Sequence, residues 1–203
     1  ELIKALFNSI GVGISTAFIS TILALLLAMG FRHDFPGKQL ILYLILVPII
    51  IPGIIGGIVL LIFFGYSEIR PSLWSTVLIA HVNWVLPFAF LTLYPRIHGF
   101  DKSLEEAAMD LGAKPFYIFF KVIIPIIKPG IIATILFSFS LSFDEFVRTI
   151  FVTGFERTIP VQFWGMIVDE LAPQLPAMAV IIILISILTS LVGFIYINLS
   201  NKN

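Results

Sequence analysis

Long apolar runs separated by short polar segments make up most of the chain, and this pattern predicts membrane-spanning helices. Five runs can cross a hydrocarbon layer of about 30 Å, and they cover residues 6–30, 40–64, 73–95, 129–152 and 176–199. Of the 203 residues, 59% are hydrophobic and only 12% are charged, whereas about a quarter of a soluble domain is charged. The sequence therefore predicts an all-α, polytopic membrane protein with one membrane domain over residues 1–203.

The distribution of lysine and arginine predicts which loops face the cytoplasm. Eight of these residues lie in the loops 31–39 and 96–128 and in the C-terminal tail, against three outside the membrane on the other side. This bias predicts a cytoplasmic C-terminus and an external N-terminus. The first run has no basic leader and Glu1 is not a start residue, so we expect a sixth span before residue 1. Translocation of a short N-terminal tail is the alternative.

Helix-perturbing residues cluster in the second run. Pro48 and Pro52 leave backbone carbonyls without helical partners, and lipid cannot satisfy them. Gly53 and Gly57 form a small face that permits close contact with another helix. A packing kink is the simpler interpretation of this stretch, and the wall of a moving pathway is the alternative. Pro87 in the third run allows the same two interpretations.

One strongly polar segment, LEEAAMDLGA at 104–113, lies in the long loop predicted to be cytoplasmic. As a helix over 103–113 it would begin with Ser103 as N-cap and Glu106 in a capping-box position, and Gly112 would follow as C-cap. Leucine and alanine side chains share one face, while the acidic ones point elsewhere. Three acidic groups argue against contact with an anionic lipid surface. We therefore expect this helix to dock to a cytoplasmic protein.

The same segment begins a longer signature. Glu-Ala-Ala, three residues, Gly112, nine residues and Val-Ile-Ile-Pro at 122–125 resembles the signature of ABC-importer permeases, in which the last four positions are Ile-x-Leu-Pro. In that family the segment is the coupling helix, which sits in a groove of the ATP-hydrolysing subunit. The resemblance assigns ATPase coupling to Glu106, Ala107, Ala108, Gly112 and Pro125.

Longer stretches extend the resemblance to nearly the whole chain. Residues 94–113, 141–154 and 157–179 are similar to the second permease subunit of spermidine/putrescine importers, and residues 8–33 are similar to its second span. This resemblance implies a multi-pass protein of the bacterial inner membrane that binds no cofactor itself and carries polyamines. The implied partners are an ATP-binding subunit that holds ATP and Mg²⁺, a second permease and an extracytoplasmic solute-binding protein. Permeases for iron, thiamine or phosphonate share much of the pattern.

The fourth run contains three ionisable side chains on the outer side of its midpoint, Asp144, Glu145 and Arg148. An ion there costs about 2.5–3.5 kcal/mol on insertion scales, so each needs water, a partner or a function. Asp144 and Arg148 are four residues apart and could pair on one helix face, which would leave Glu145 without a partner. Because the net charge is negative, we interpret the carboxylates as a site for an organic cation. A purely structural Asp144–Arg148 pair is the alternative.

Two residues of the third run could complete such a cation path. The face of Trp84 can bind a cation at about 0.5–2 kcal/mol, and Asn83 adds a polar group beside it. Ordinary packing of tryptophan and asparagine between membrane helices is the alternative. In the outer loop, Asp169 and Glu170 could contact the solute-binding protein, although the favoured interpretation is that this segment rests at the lipid interface.

The sequence gives little support to an enzymatic role. It contains no cysteine, no phosphate-binding G-x-x-x-x-G-K-[ST] motif, no cluster with metal-ligand spacing and no credible nucleophile–base pair. We therefore expect a transport subunit whose ATP hydrolysis resides in a partner chain. An ion-coupled secondary transporter with Asp144 and Glu145 as its ion site is the less favoured alternative, because it leaves the coupling signature without a purpose.

Overall fold

The computed structural model describes residues 1–169 and 175–200, and these residues form helices joined by turns. In chain order the helices are α1 (Leu2–Gly30), α2 (Lys38–Ile50), α3 (Gly53–Tyr66), α4 (Leu73–His98), α5 (Ser103–Asp110), α6 (Pro115–Phe143), α7 (Thr149–Val152), α8 (Ile159–Asp169) and α9 (Leu175–Ser200). Within the described residues there is no strand. The predicted all-α class is confirmed.

Helices α1, α4 and α6 form the centre of the molecule, because each packs against the other two. These three are also long and apolar enough to cross a membrane. In the largest buried cluster, the small Ala24 and Ala28 of α1 share the interior with the bulky Phe90 and Leu93 of α4. Alanine in one helix opposite large side chains in another allows the close packing that helices need within lipid.

The second apolar run is broken rather than straight. Helix α2 ends at Ile50, α3 begins at Gly53, and their axes are bent by 108°. Ile51 has extended backbone angles (φ −73°, ψ 125°), as a residue before a proline usually does. Pro52 follows and donates no backbone hydrogen bond, and together with the extended Ile51 it ends α2 here, although α2 itself passes through Pro48. The predicted kink is therefore a full break, with the geometry of a broken span or a re-entrant segment.

The predicted small face of α3 makes close contacts. A Cβ atom at Gly53 would lie 3.2 Å from Cγ1 of Val147, and one at Gly57 would lie 2.5 Å from the ring of Phe151. Real Cβ atoms almost never approach another heavy atom to under 3 Å, so a side chain at residue 57 would displace the ring. The glycines thus bring α3 against the segment that contains Arg148.

The fourth apolar helix begins and ends earlier than predicted. Helix α6 covers Pro115–Phe143 rather than 129–152, and it passes through Pro129, from which the predicted span begins. A π-helical turn at Phe119–Ile123 precedes the proline-rich stretch and changes the local hydrogen-bond pattern, as such turns do in bent helices. Asp144 consequently lies at the end of the helix instead of inside it.

The number of membrane spans stays a prediction. Among the residues that the structure describes, three helices meet the length and composition of a span, and the bent pair α2–α3 would add a fourth if it crosses as one unit. Helices α8 and α9 contain shorter apolar stretches, at Ile159–Val168 and Ala179–Gly193.

Candidate functional site

A glycine fixes the end of the polar helix α5. Gly112 has a φ of +82°, in the left-handed region that favours glycine. Its N–H donates to the carbonyl of Met109 at 2.8 Å, and the N–H of Ala113 donates to the carbonyl of Ala108 at 3.0 Å. These two bonds form a Schellman motif. The predicted C-cap at Gly112 is confirmed.

The predicted N-cap at Ser103 is wrong, because Ser103 is already the first helical residue and Lys102 stands at the cap position; the capping hydrogen bond comes from Asp101. Its Oδ1 accepts the backbone N–H of Ser103 at 2.9 Å, and the helix itself begins at Ser103. Hydrogen bonds from Ser103, chiefly from its N–H, lower the pKa of the Asp101 carboxyl because they stabilise the ionised form. Both Asp101 and Ser103 are good capping residues, and in the turn before α5 it is the Asp101 side chain that accepts the hydrogen bond.

A glutamate attaches α5 to the membrane helices. Oε1 of Glu105 accepts a hydrogen bond from Nη2 of Arg32, which follows the C-terminus of α1. The two side chains are only 19% and 9% exposed, and the Arg32 guanidinium also lies 5.8 Å from the centre of the Phe100 ring. The sequence pattern does not predict this pair, because its members are 73 residues apart.

Three apolar side chains on α5 or directly after it are exposed. Leu104 is 44% exposed, Met109 is 50% exposed and Leu111 is 90% exposed. Next to Leu111 runs a shallow groove of about 560 Å³ that reaches Tyr117. The polar helix therefore presents apolar side chains outward, where a partner protein would bury them.

The five residues of the predicted coupling signature divide between α5 and α6. Ala108 is partly buried and packs against the central cluster. The other four are exposed, three of them on or next to α5 and one on α6: Glu106, Ala107, Gly112 and Pro125. Glu106 borders the same surface pocket as Met109, and Gly112 borders the groove next to Leu111.

A second polar cluster is buried beyond the other end of α6. Nη1 of Arg148 lies 3.2 Å from Oε2 of Glu145, and the backbone N–H of Arg148 donates to Oε1 of the same carboxylate at 2.8 Å. The two side chains are 5% and 7% exposed. Buried ions must be paired and hydrogen-bonded to be tolerated, and this glutamate meets both conditions through a single residue.

The alternative pair between Asp144 and Arg148 does not form. Helix α6 ends at Phe143, so residues 144–148 form a turn and a spacing of four does not place side chains on one face. Arg148 pairs with Glu145 instead. Asp144 is exposed, and the Ser186 hydroxyl lies 3.4 Å from both of its carboxylate oxygens. The net negative charge of this region therefore belongs to Asp144.

The remaining predicted path residues gather around Arg148. Its guanidinium carbon lies 3.8 Å from the centre of the Trp84 ring, well within the range of a cation–π contact. Asn83 and Arg148 line a cavity of about 400 Å³ whose other walls are apolar and come from α2, α3 and their break. Glu145, Trp84 and Asn83 thus surround one arginine, and Asp144 lies outside the group.

A histidine without a predicted role fixes the shape of this turn. His81 is 1% exposed, and its ring nitrogens lie 2.7 Å from the Ser142 hydroxyl and 2.8 Å from the Thr149 hydroxyl. Thr149 in turn donates to the carbonyl of Glu145 at 2.6 Å. His81 thereby joins α4 to both sides of the turn 144–148. An isolated histidine in an apolar run carries no sequence signal for such a bridge.

Two further expectations have different outcomes. Among the described residues, no group of three or more potential ligands could hold a metal ion. The predicted contacts with a solute-binding protein are not placed, because Glu170 lies outside the described residues and Asp169 is only the last residue of α8.

Comparison with known proteins identifies the family. Residues 20–203 match the family described as Binding-protein-dependent transport system inner membrane component. The chain belongs to this family. It is 34% identical over 189 residues to the spermidine/putrescine transport system permease protein PotC of Escherichia coli (strain K12), a match that covers 92% of this chain and 71% of that protein.

Other relatives support the same assignment as a transport permease. The PotC protein of Haemophilus influenzae is 33% identical over 92% of this chain and 73% of its own length. The putrescine transport system permease protein PotI of Escherichia coli (strain K12) is 36% identical over a shorter stretch, 53% of this chain and 39% of its own. The predicted resemblance to binding-protein-dependent permeases is confirmed.

A solved structure shows that the fold is that of an ABC transporter permease. A chain of the MetNI methionine ABC transporter in an inward-facing conformation superposes with a TM-score of 0.78 and covers 97% of this chain and 94% of that one. The two sequences are only 14% identical, so the likeness concerns the fold and not the cargo.

Proposed function

We propose that this chain is a permease subunit of an ATP-driven polyamine importer, with its C-terminus in the cytoplasm. The observation that carries the proposal is that residues of the coupling signature are exposed on and next to α5, a helix that is attached to the membrane helices through Glu105 and Arg32. The relatives named as spermidine/putrescine permeases, which match over 92% of the chain, support the choice of cargo.

The ATP-binding partner would dock on the outward side of α5. Leu104 and Leu111 are exposed there, and a partner groove that covers them would gain about 25 cal/mol for each Å² of apolar surface removed from water. Gly112 ends the helix without a side chain, and the space beside it is open. A close approach of the partner at this point would be sensitive to any bulky or charged substitution.

The attachment of α5 suggests how its movement would reach the membrane. Glu105 binds Arg32 at the end of α1, and α1 has its most extensive contacts with α4 and α6. A displacement of α5 by the partner would therefore act directly on the central helices. The broken pair α2–α3, which contacts the segment 147–151 through its glycines, would form the moving wall of the path.

On the cargo side, we propose that Asp144 meets the cationic solute. It is an exposed carboxylate at the C-terminal end of α6, where the free carbonyls of the helix add partial negative charge. An ammonium group of a polyamine would bind there by charge-assisted hydrogen bonds. The second permease would complete the path, and an extracytoplasmic solute-binding protein would deliver the cargo.

The decisive experiment reconstitutes the permease with its permease partner, the ATPase and the solute-binding protein in liposomes. We expect spermidine to stimulate ATP hydrolysis and Asp144→Asn to reduce this stimulation strongly without loss of assembly. Glu156→Gln is the control. It changes an exposed glutamate that forms an ion pair with Lys4, and it should respond like the unaltered complex. Stimulation by a different solute only would retain the transporter and contradict the cargo.

The docking surface has its own matched pair of variants. Gly112→Asp should abolish ATPase binding, whereas Gly37→Asp should leave it intact. Both glycines have a φ near +80° and open space around them, so the two substitutions impose the same backbone strain. Normal ATPase binding by Gly112→Asp would contradict docking on α5.

A further inference from the structure

In the buried polar cluster, the cation is the protein's own Arg148 side chain. Arg148 places a guanidinium between the carboxylate of Glu145, at 3.2 Å, and the face of Trp84, at 3.8 Å. A carboxylate and an indole face are the two groups that bind organic cations best in partly dry sites. The guanidinium thus occupies the position that a free alkylammonium or guanidinium ion would take.

Glu145 is held in this position by contacts other than the guanidinium. Its Oε1 accepts the backbone N–H of Arg148, and its carbonyl accepts the hydroxyl of Thr149. His81 ties Thr149 to Ser142 across the same turn. Only Oε2 faces the guanidinium. The carboxylate would therefore stay oriented if the arginine side chain were absent, which is the condition for a preformed site.

The site is also large enough to admit a separate ion. Arg148 borders the cavity of about 400 Å³ that Asn83 also lines. The break between α2 and α3 leaves room at the guanidinium, because Cβ atoms placed at Gly53 and Gly56 would lie 3.5 Å from Nη1 and 3.7 Å from Nε. Arg148 thus borders this cavity directly, and Gly56 adds no side chain to its wall.

We propose that Glu145 and Trp84 form a binding site for a small organic cation of the guanidinium or alkylammonium class, and that Arg148 fills this site as an internal cation. The internal cation neutralises Glu145 and leaves Asp144 as the carboxylate that meets cationic cargo. This assignment refines the cargo path of the proposed function and rests on it, although the binding site itself can be tested without any cargo.

The test is chemical rescue of Arg148→Ala in the complete transporter complex. The substitution removes a fragment with the structure of ethylguanidinium and leaves Glu145 buried without its charge partner. We expect the midpoint of thermal unfolding to fall by about 5–15 °C. Ethylguanidinium at ten times its Kd should raise the midpoint again by about 3–6 °C. Ethylurea, which has nearly the same shape and no charge, should have no effect.

Two variants separate binding at this site from a general effect of the ion. In Glu145→Gln/Arg148→Ala the carboxylate is gone, so ethylguanidinium should no longer stabilise the complex. Arg70→Ala removes an exposed arginine elsewhere and should show no rescue either. Equal stabilisation of Arg148→Ala and the double variant by ethylguanidinium would overturn the proposal, as would an equal effect of ethylurea.

If the Arg148→Ala complex fails to assemble, the proposal can still be tested. Arg148→Ala would then be purified throughout in ethylguanidinium or in ethylurea; recovery with the cation only supports the site, and recovery with neither overturns it. None of these readouts involves a polyamine. A complex that shows rescue but no response to spermidine would retain the internal cation and contradict the polyamine cargo.

Discussion

Two arginine–glutamate pairs, both largely shielded from solvent, differ in the distance along the chain that they bridge. Arg148 and Glu145 are three residues apart, whereas Arg32 and Glu105 are 73 residues apart. The first pair lies within one turn, where backbone hydrogen bonds also hold the glutamate. The second pair joins α5 to the end of α1, and there the side chains themselves make the connection.

The two ion pairs also differ in what they do for the protein. The local pair is more deeply buried, and its arginine lies 3.8 Å from an aromatic ring, against 5.8 Å for the distant pair. A deeply buried pair is costly to break because one ion is left without compensation. A partly buried pair between two elements costs less to break, but its loss disconnects those elements. We therefore expect stability to depend most on the first pair and coupling most on the second.

Breaking the local pair should have the largest effect on stability. Arg148→Met leaves the Glu145 carboxylate buried without a charge partner, and we expect a loss of about 3–5 kcal/mol. Glu145→Gln/Arg148→Met removes both charges and should recover most of this loss. Thermal unfolding of the purified permease pair in detergent measures both variants. A single variant as stable as the double variant would show that the ion pair contributes little.

Breaking the distant pair should reduce stability less, but it should weaken the coupling of ATP hydrolysis to transport more. Arg32→Met removes a charge-assisted hydrogen bond, worth about 1.5–3 kcal/mol, and should separate ATP hydrolysis from transport. Lys38→Met is the matched control, because its pair with Asp34 is local and exposed, and exposed pairs contribute little to stability. The ratio of solute transported to ATP hydrolysed is the measurement. An unchanged ratio in Arg32→Met would exclude a coupling role for this pair.

The C-cap of α5 allows the helix to be weakened while its ion pair stays intact. Gly112→Ala forces an alanine into the left-handed region, which costs about 1–2 kcal/mol, and no neighbouring atom adds a clash. Faster hydrogen exchange in the last turn of α5 is the expected result. Gly30→Ala, at a glycine without positive φ or close neighbours, should leave that exchange unchanged. Equal exchange in both variants would contradict the Schellman motif.

The N-cap of α5 should produce the smallest effect, and one that depends on pH. The folded-state pKa of Asp101 is lowered by the hydrogen bonds from Ser103. The cap therefore stabilises α5 above the unfolded pKa of Asp101, and this contribution is lost as the pH falls through the folded pKa. Protection of the first amides of α5 should decline in acid, whereas Asp101→Asn should show no such decline. A parallel decline in both would assign the pH dependence to another group.

The sequence by itself determined the features that depend on local backbone preference and on burial in lipid. Apolar runs longer than a bilayer requires predicted the all-α class. Gly112 predicted the C-cap, because glycine adopts the positive φ at the end of a helix without steric cost. Pro48 and Pro52 predicted a perturbed helix in the second run, since proline lacks the N–H of a helical hydrogen bond, but the pattern favoured a kink where the structure has a break. The signature around Glu106 indicated the permease family, which the comparisons confirm.

Only the tertiary structure decided which charged groups meet. The sequence spacing allowed Asp144 as the partner of Arg148, but the helix ends at Phe143 and Arg148 pairs with Glu145. The contact between Arg32 and Glu105 depends on how α1 and α5 are arranged, which no local pattern contains. Helix propensity and hydropathy act over a few neighbouring residues, whereas a buried charge takes the partner that folding brings to it.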